Sequence, residues 1–254
     1  ARNRLPEGLL RHFLGLVGQR LQAQVPDAHR WQGHAVFIVD GSTLLMPDTP
    51  ENQKEYPQHA NQAPGCGFPL ARFVGLFSLA TGAWLDVEVG PWKTHELTLV
   101  RPLYQRLQPG DVIMGDSLFC TYADIAQLQA DEIESVFCMH GSRKVDFRRG
   151  QKLSKDDHLV EWMKPQQCPK GLDPKDFAQL PDKLLLGELR YTVQQKGFRP
   201  KKITIATTFT DPIAYPKEAL ASLFVQRWDA ELDLRPIKTT LGMEMLTTKT
   251  PDMV

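Results

Sequence analysis

No apolar run in the 254 residues approaches the ~20 that a membrane-spanning helix needs. The start, A-R-N-R-L-P-E-G-L-L, lacks the apolar stretch of a signal peptide. No membrane partner is expected. There is no initiator Met and the chain stops abruptly at T-P-D-M-V, so a piece of a longer protein is expected. Cysteine is scarce: Cys66, Cys120, Cys138 and Cys168 lie far apart, form no C-x-x-C, and have no His at finger spacing. That pattern disfavours a zinc site and suits free thiols in a reducing cytosol. An excess of one charge is also lacking, with 30 Lys/Arg against 30 Asp/Glu, which argues weakly against a nucleic-acid partner. Internal repeats and low-complexity tracts are absent.

What is present is 42% apolar residues, enough for a sizeable core and one or two domains. The balanced charge is unevenly spread. Residues 1–139 hold 10 Lys/Arg and 15 Asp/Glu, residues 140–202 hold 15 and 8, and residues 203–254 hold 5 and 7. An acidic body carrying a basic segment suits a metal site beside a phosphate-binding surface, and equally a solvated loop without a partner.

Periodicity predicts an amphipathic helix over 5–25, ended by Pro26. The β-branched run A-V-F-I-V-D-G-S predicts a buried strand over 35–42, closed by Gly41. Residues 47–69, rich in Pro and polar, read as a long loop. The runs at 72–79 and 84–89 flank A-T-G-A and predict a hairpin. A helix capped by Thr94 is expected over 94–107, with Pro102 inside it. D-V-I-M-G-D predicts a strand over 111–116, followed by a helix over 121–131 and a strand over 135–139. Short β-like runs, clearest at 184–195 and 201–208, fill a basic stretch. A long helix follows, from near Lys217 to about Leu241, with Gly242 as its stop. The order predicts a mixed sheet with helices on its faces.

Asp40 and Asp116 close apolar strands, and each precedes a small residue. At carboxyl ends of strands in an α/β sheet, side chains face the crevice where ligands bind. Alone, either Asp is commonly a turn former or cap. In L-F-V-Q-R-W-D-A-E-L-D-L-R-P-I-K, Phe224, Arg227, Glu231 and Lys238 share one helical face, with Asp229 and Asp233 on the far side. Three carboxylates converging repel unless a cation holds them, and Mg²⁺ or Mn²⁺ takes oxygen ligands in phosphate chemistry. Arg227 and Lys238 could then hold nucleic-acid phosphates.

V-D-G-S around Asp40, G-D-S-L-F-C-T-Y around Asp116, and the F-(2)-R-(3)-E-(6)-K spacing together resemble the insertion-sequence DDE transposases of bacteria, the IS-four group. Its third motif is Y-(2)-R-(3)-E-(6)-K, and the tail E-L-D-L-R-P-I-K-T-T-L-G-M is also similar. The resemblance runs over about 35–254. It implies a ribonuclease-H-like core with Asp40, Asp116 and Glu231 binding Mg²⁺ or Mn²⁺, and a β-rich insertion between the second Asp and the Glu. It implies cleavage and rejoining of DNA at terminal inverted repeats and target DNA, by a homodimer on paired ends, in the bacterial cytoplasm at the nucleoid. The segments then expected are a helical lead-in over 1–30, the first part of the catalytic core over 31–139, the basic insertion over 140–208, and the Glu-bearing helix over 209–254.

Two departures are visible. Phe224 replaces the motif's Tyr, and Pro236 lies between Glu231 and Lys238. They leave open a truncated remnant that binds DNA or dimerises without cutting. A ribonuclease-H-like nuclease without joining activity is the third reading. Phe224 could still stack on a base. Trp228 could pack or stack, and Tyr122 and Phe119 could pack their loop, or Tyr122 touch DNA. His95 reads as a surface residue. Arg143, Lys144, Arg148 and Arg149 are expected to contact the DNA backbone.

Overall fold

The computed structural model describes residues 5–63, 65–169, 171–193, 201–240 and 245–254, with the side chains of residues 201, 229–240 and 253 outside the description. Contacts divide the chain into two compact units. The first holds Ala1–Val25, Val39–Arg106 and Asp229–Val254, and the second holds Pro26–Ile38 and Leu107–Trp228.

In the first unit, α1 (Glu7–Ala23) packs on a hairpin of β2 (Leu70–Ser78) and β3 (Trp84–Pro91). Gly18 makes that approach possible, because a Cβ there would fall 2.5 Å from the Trp84 carbonyl oxygen. The hairpin is antiparallel with an irregularity between Leu76 and Phe77. α3 (Glu96–Tyr104) covers the hairpin with Leu97, Val100, Leu103 and Tyr104, at the spacing of one apolar stripe. Its cap is His95, not Thr94: His95 Nδ1 accepts from the Leu97 N–H at 3.2 Å. Pro102 lies in the last turn, so it withholds only one late backbone N–H from α3. The expected loop over 47–69 contains a short helix, α2 (Pro50–Glu55), started by the Thr49 hydroxyl and by proline at the first helical position. α2 ties down the chain's last residues. Asn52 donates to the Thr248 carbonyl at 3.0 Å, and Thr49 to the Lys249 carbonyl at 2.9 Å.

In the second unit, β4 (Val112–Gly115) and β5 (Glu134–Cys138) are parallel neighbours joined by α4 (Tyr122–Ala130). β4 is apolar throughout because it is buried throughout. The basic stretch forms β6 (Gln151–Ser154), β7 (Asp157–Met163), the short helix α5 (Pro174–Gln179), β8 (Lys183–Val193) and β9 (Lys201–Thr207). These strands are not a separate layer. β9 pairs antiparallel with β5 through Val136↔Thr207, and the ladder continues through β8 and β7 to β6. Phe137, Ile125, Leu128 and Leu186 are buried at its centre.

β1 (Val36–Leu45) belongs to both units, and α6 (Lys217–Thr240) passes from the second into the first. Among the described residues the strands form one mostly antiparallel nine-stranded sheet, in the order β3-β2-β1-β4-β5-β9-β8-β7-β6. The expected mixed sheet with flanking helices is therefore present, consistent with a ribonuclease-H-like transposase fold. No described helix is long and apolar enough to cross a membrane. The predicted helix stop at Gly242 lies outside the described residues.

Candidate active site and basic loop

β1 and β4 run parallel in the register Val36↔Val112, Phe37↔Ile113 and Ile38↔Met114. Asp40 and Asp116 each stand two residues past the last of these pairs. Asp116 follows the end of β4, as expected, and its Oδ1 accepts from the Leu118 N–H at 2.8 Å. This turn carries the chain into α4, with Phe119 buried and the Thr121 side chain accepting from Asp124 N–H. Asp40 differs from expectation. β1 does not close there but runs on to Leu45. Gly41 does not stop the strand, because the pleat continues with Thr43 exposed, Leu44 buried and Leu45 exposed. Both Asp side chains are half-buried.

Glu96 was not anticipated from the sequence. Its carboxylate lies against Gly41, where a Cβ would fall 2.8 Å from Glu96 Oε2. The Arg72 guanidinium holds the other oxygen at 3.4 Å, with its carbon 5.0 Å from the Trp92 ring centroid. A glycine after a strand carboxylate, beside a helix beginning with Glu, was the available signal.

Glu231 and Lys238 lie on α6, and their side chains are outside the described residues. The part of the helix that is described turns Leu220, Leu223, Phe224 and Arg227 inward, an i, i+3, i+4, i+7 stripe. Phe224 is 1% exposed, and the Arg227 guanidinium carbon stands 5.3 Å from its ring centroid. Phe224 is thus a core ring beneath Arg227, and the shared face is a packing face in its first half. Half-buried Trp228 meets Phe224 edge-on at 6.4 Å. Tyr122 is buried and donates its hydroxyl to the Pro181 carbonyl at 2.6 Å.

Arg143, Lys144, Arg148 and Arg149 share one loop, 140–150, between β5 and β6. All four are exposed, but they differ in their contacts. Arg143 lies flat over Trp162, 3.6 Å from the ring centroid. Arg148 and Arg149 share Asp146, at 2.8 and 3.6 Å. The hydrogen bond from Arg148 holds the Asp146 carboxyl down at about 2. Gly150 closes the loop with φ 72°, and a Cβ there would fall 2.0 Å from the Leu159 carbonyl oxygen. Beneath the loop lie His158, Glu188 and Trp162, none of which the sequence pattern singled out.

Carboxylates suit a hard divalent cation such as Mg²⁺ or Mn²⁺. Two of the three expected acids have described side chains, and their chemistry fits. Among the described residues no group of three His, Cys, Asp or Glu is placed to hold an ion. The four cysteines are free thiols, and burial pushes Cys120 up to about 12.

The transposase DDE domain model matches residues 31–254, so the chain belongs to that family. It is also 26% identical, over its whole length, to the transposase InsG for insertion sequence element IS4 of Escherichia coli (strain K12). The chain spans 55% of the length of that relative.

Proposed function

We propose that this chain is the catalytic part of a transposase that cleaves DNA at insertion-element ends and joins the freed 3′-OH to target DNA. Asp40, Asp116 and Glu231 hold the divalent metal on which DDE transposases generally rely. When bound, two such ions activate the attacking oxygen and stabilise the leaving oxygen of a phosphodiester. The carboxylates fix where that chemistry happens, and the exposed cations of loop 140–150 bind the DNA backbone. In the first step water adds to phosphorus and the strand's 3′ oxygen leaves, taking a proton. In the second step the 3′-OH loses its proton, bonds to a target phosphorus, and displaces a target 3′ oxygen.

The observation that carries this reading is the parallel register of β1 and β4, which ends two residues short of both Asp40 and Asp116. The family match adds to it. The test is a duplex bearing element ends, incubated with the chain and Mg²⁺. Nicking at the end and joining to a second duplex are expected. Asp40→Asn, Asp116→Asn and Glu231→Gln should each lower the rate about a thousandfold or more. Binding without cutting would replace the enzyme by a DNA-binding remnant, and cutting without joining would make it a nuclease.

A further inference from the structure

The basic loop 140–150 is gripped from below by a buried polar pair. His158 is 1% exposed and Glu188 6%, and they are cross-strand partners on β7 and β8. His158 Nε2 lies 2.9 Å from Glu188 Oε2, and Nδ1 lies 2.7 Å from the Arg149 carbonyl oxygen. Both neighbours are oxygens. The contacts are hydrogen bonds only if both ring nitrogens carry hydrogen, or if a protonated Glu188 donates to Nε2. Glu188 Oε1 accepts from the Trp162 indole N–H at 2.7 Å, and Trp162 is the ring under Arg143. The Phe147 ring packs 4.8 Å from His158, with the Arg190 guanidinium carbon 4.8 Å from Phe147. Three residues of the loop, Arg143, Phe147 and Arg149, therefore converge on one buried pair.

We propose that His158 and Glu188 form a latch: positioning residues that hold loop 140–150 so that Lys144, Arg148 and Arg149 meet DNA phosphates as one surface. This rests on the reading of the loop as DNA-binding. The charged and titratable neighbours are Arg143 through Trp162, Arg149 and Arg190 around the loop, and Asp157 beside His158 on β7. Lys217 and Glu218 of α6 act on Asp157, and Cys120 acts with Glu188. Loss of the imidazole leaves the Glu188 carboxylate and the Arg149 carbonyl without their partner in a dry site, which is costly, so the loop is released.

Two readouts test it on the whole chain: binding to a duplex of arbitrary sequence, and trypsin cleavage at Arg143, Lys144, Arg148 and Arg149 relative to other sites. His158→Ala should weaken binding about tenfold and expose the loop to trypsin. In an Arg148→Ala/Arg149→Ala background, where only Lys144 is left to position, it should weaken binding less. Equal loss in both backgrounds makes His158 a general fold-holding residue and overturns the latch. Glu188→Gln should bind DNA as the parent does, because its amide can donate to Nε2 while its carbonyl accepts from Trp162. A Glu188→Gln chain that binds as weakly as His158→Ala overturns the proposal. If Arg148→Ala/Arg149→Ala leaves binding unchanged, the DNA reading of the loop fails instead. Trypsin then decides alone: loop cleavage that rises in His158→Ala and not in Glu188→Gln keeps the latch, and its absence removes it.

Discussion

Two sets of arginines, one in each unit, are used differently. In the first, Arg11 and Arg106 close on Asp86, whose side chain is 5% exposed, and Arg11 also reaches Glu88 at 3.0 Å. These cations fasten α1 and the end of α3 to the hairpin. In the second, Arg148 and Arg149 are 91% and 82% exposed, and their acid, Asp146, is two or three residues away. The first arrangement is internal glue. The second leaves its charge in solvent, where another anion can take it. A count of basic residues does not separate these cases; burial of the partner acid does.

That contrast can be broken or sharpened by experiment. The largest effect is expected at Asp86. Asp86→Ala leaves two arginines without their buried acid and should lower stability by about 2–3 kcal/mol, below the full buried-pair penalty because both arginines reach water. Urea unfolding checks it, and a loss under ~0.5 kcal/mol would put the first unit's arginines in the same class as the second's. Next is Gly150→Ala, which strains a left-handed backbone and meets the Leu159 carbonyl. About 1–3 kcal/mol should be lost, with the loop displaced. Arg148→Ala/Arg149→Ala should leave stability within ~0.5 kcal/mol. It should weaken DNA binding and reduce the salt slope by about two; an unchanged slope ends the claim that the loop touches phosphates.

A smaller effect concerns Asp146. Its folded-state carboxyl is held at about 2, below the ordinary carboxylate value. Whatever the Arg148 pair contributes is present above that ordinary value and fades as pH falls through about 2. NMR titration should show the depressed midpoint returning upward in Arg148→Ala. Smallest is a thiol comparison. Cys66 in the first unit is exposed, whereas the Cys120 thiol in the second is pushed by burial to about 12. Alkylation followed by mass spectrometry should label Cys66 first and leave Cys120 unmodified in the folded chain.

Sequence pattern located most strands because apolar runs and turns mark them directly. It misjudged boundaries where a residue's role depends on its neighbours. Gly41 read as a strand end, yet it sits within β1 beside the Glu96 carboxylate. Thr94 read as a cap because hydroxyls usually serve there, yet the His95 ring does the work. α2 was hidden in a Pro-rich stretch although Thr49-Pro50 was its start signal. Helical spacing grouped Phe224 with Arg227 correctly but could not say that the face is buried. The His158–Glu188 pair was illegible, because 30 residues separate its members and only the β7–β8 register brings them together.

The proposed function requires Asp40, Asp116 and Glu231 to converge on a divalent cation. Calorimetry with Mg²⁺ and Mn²⁺, on this chain and on Asp116→Asn, tests it most directly. Binding by the parent chain that the substitution abolishes is the predicted result. Binding by neither chain even with DNA present, or equal binding by both, would contradict it.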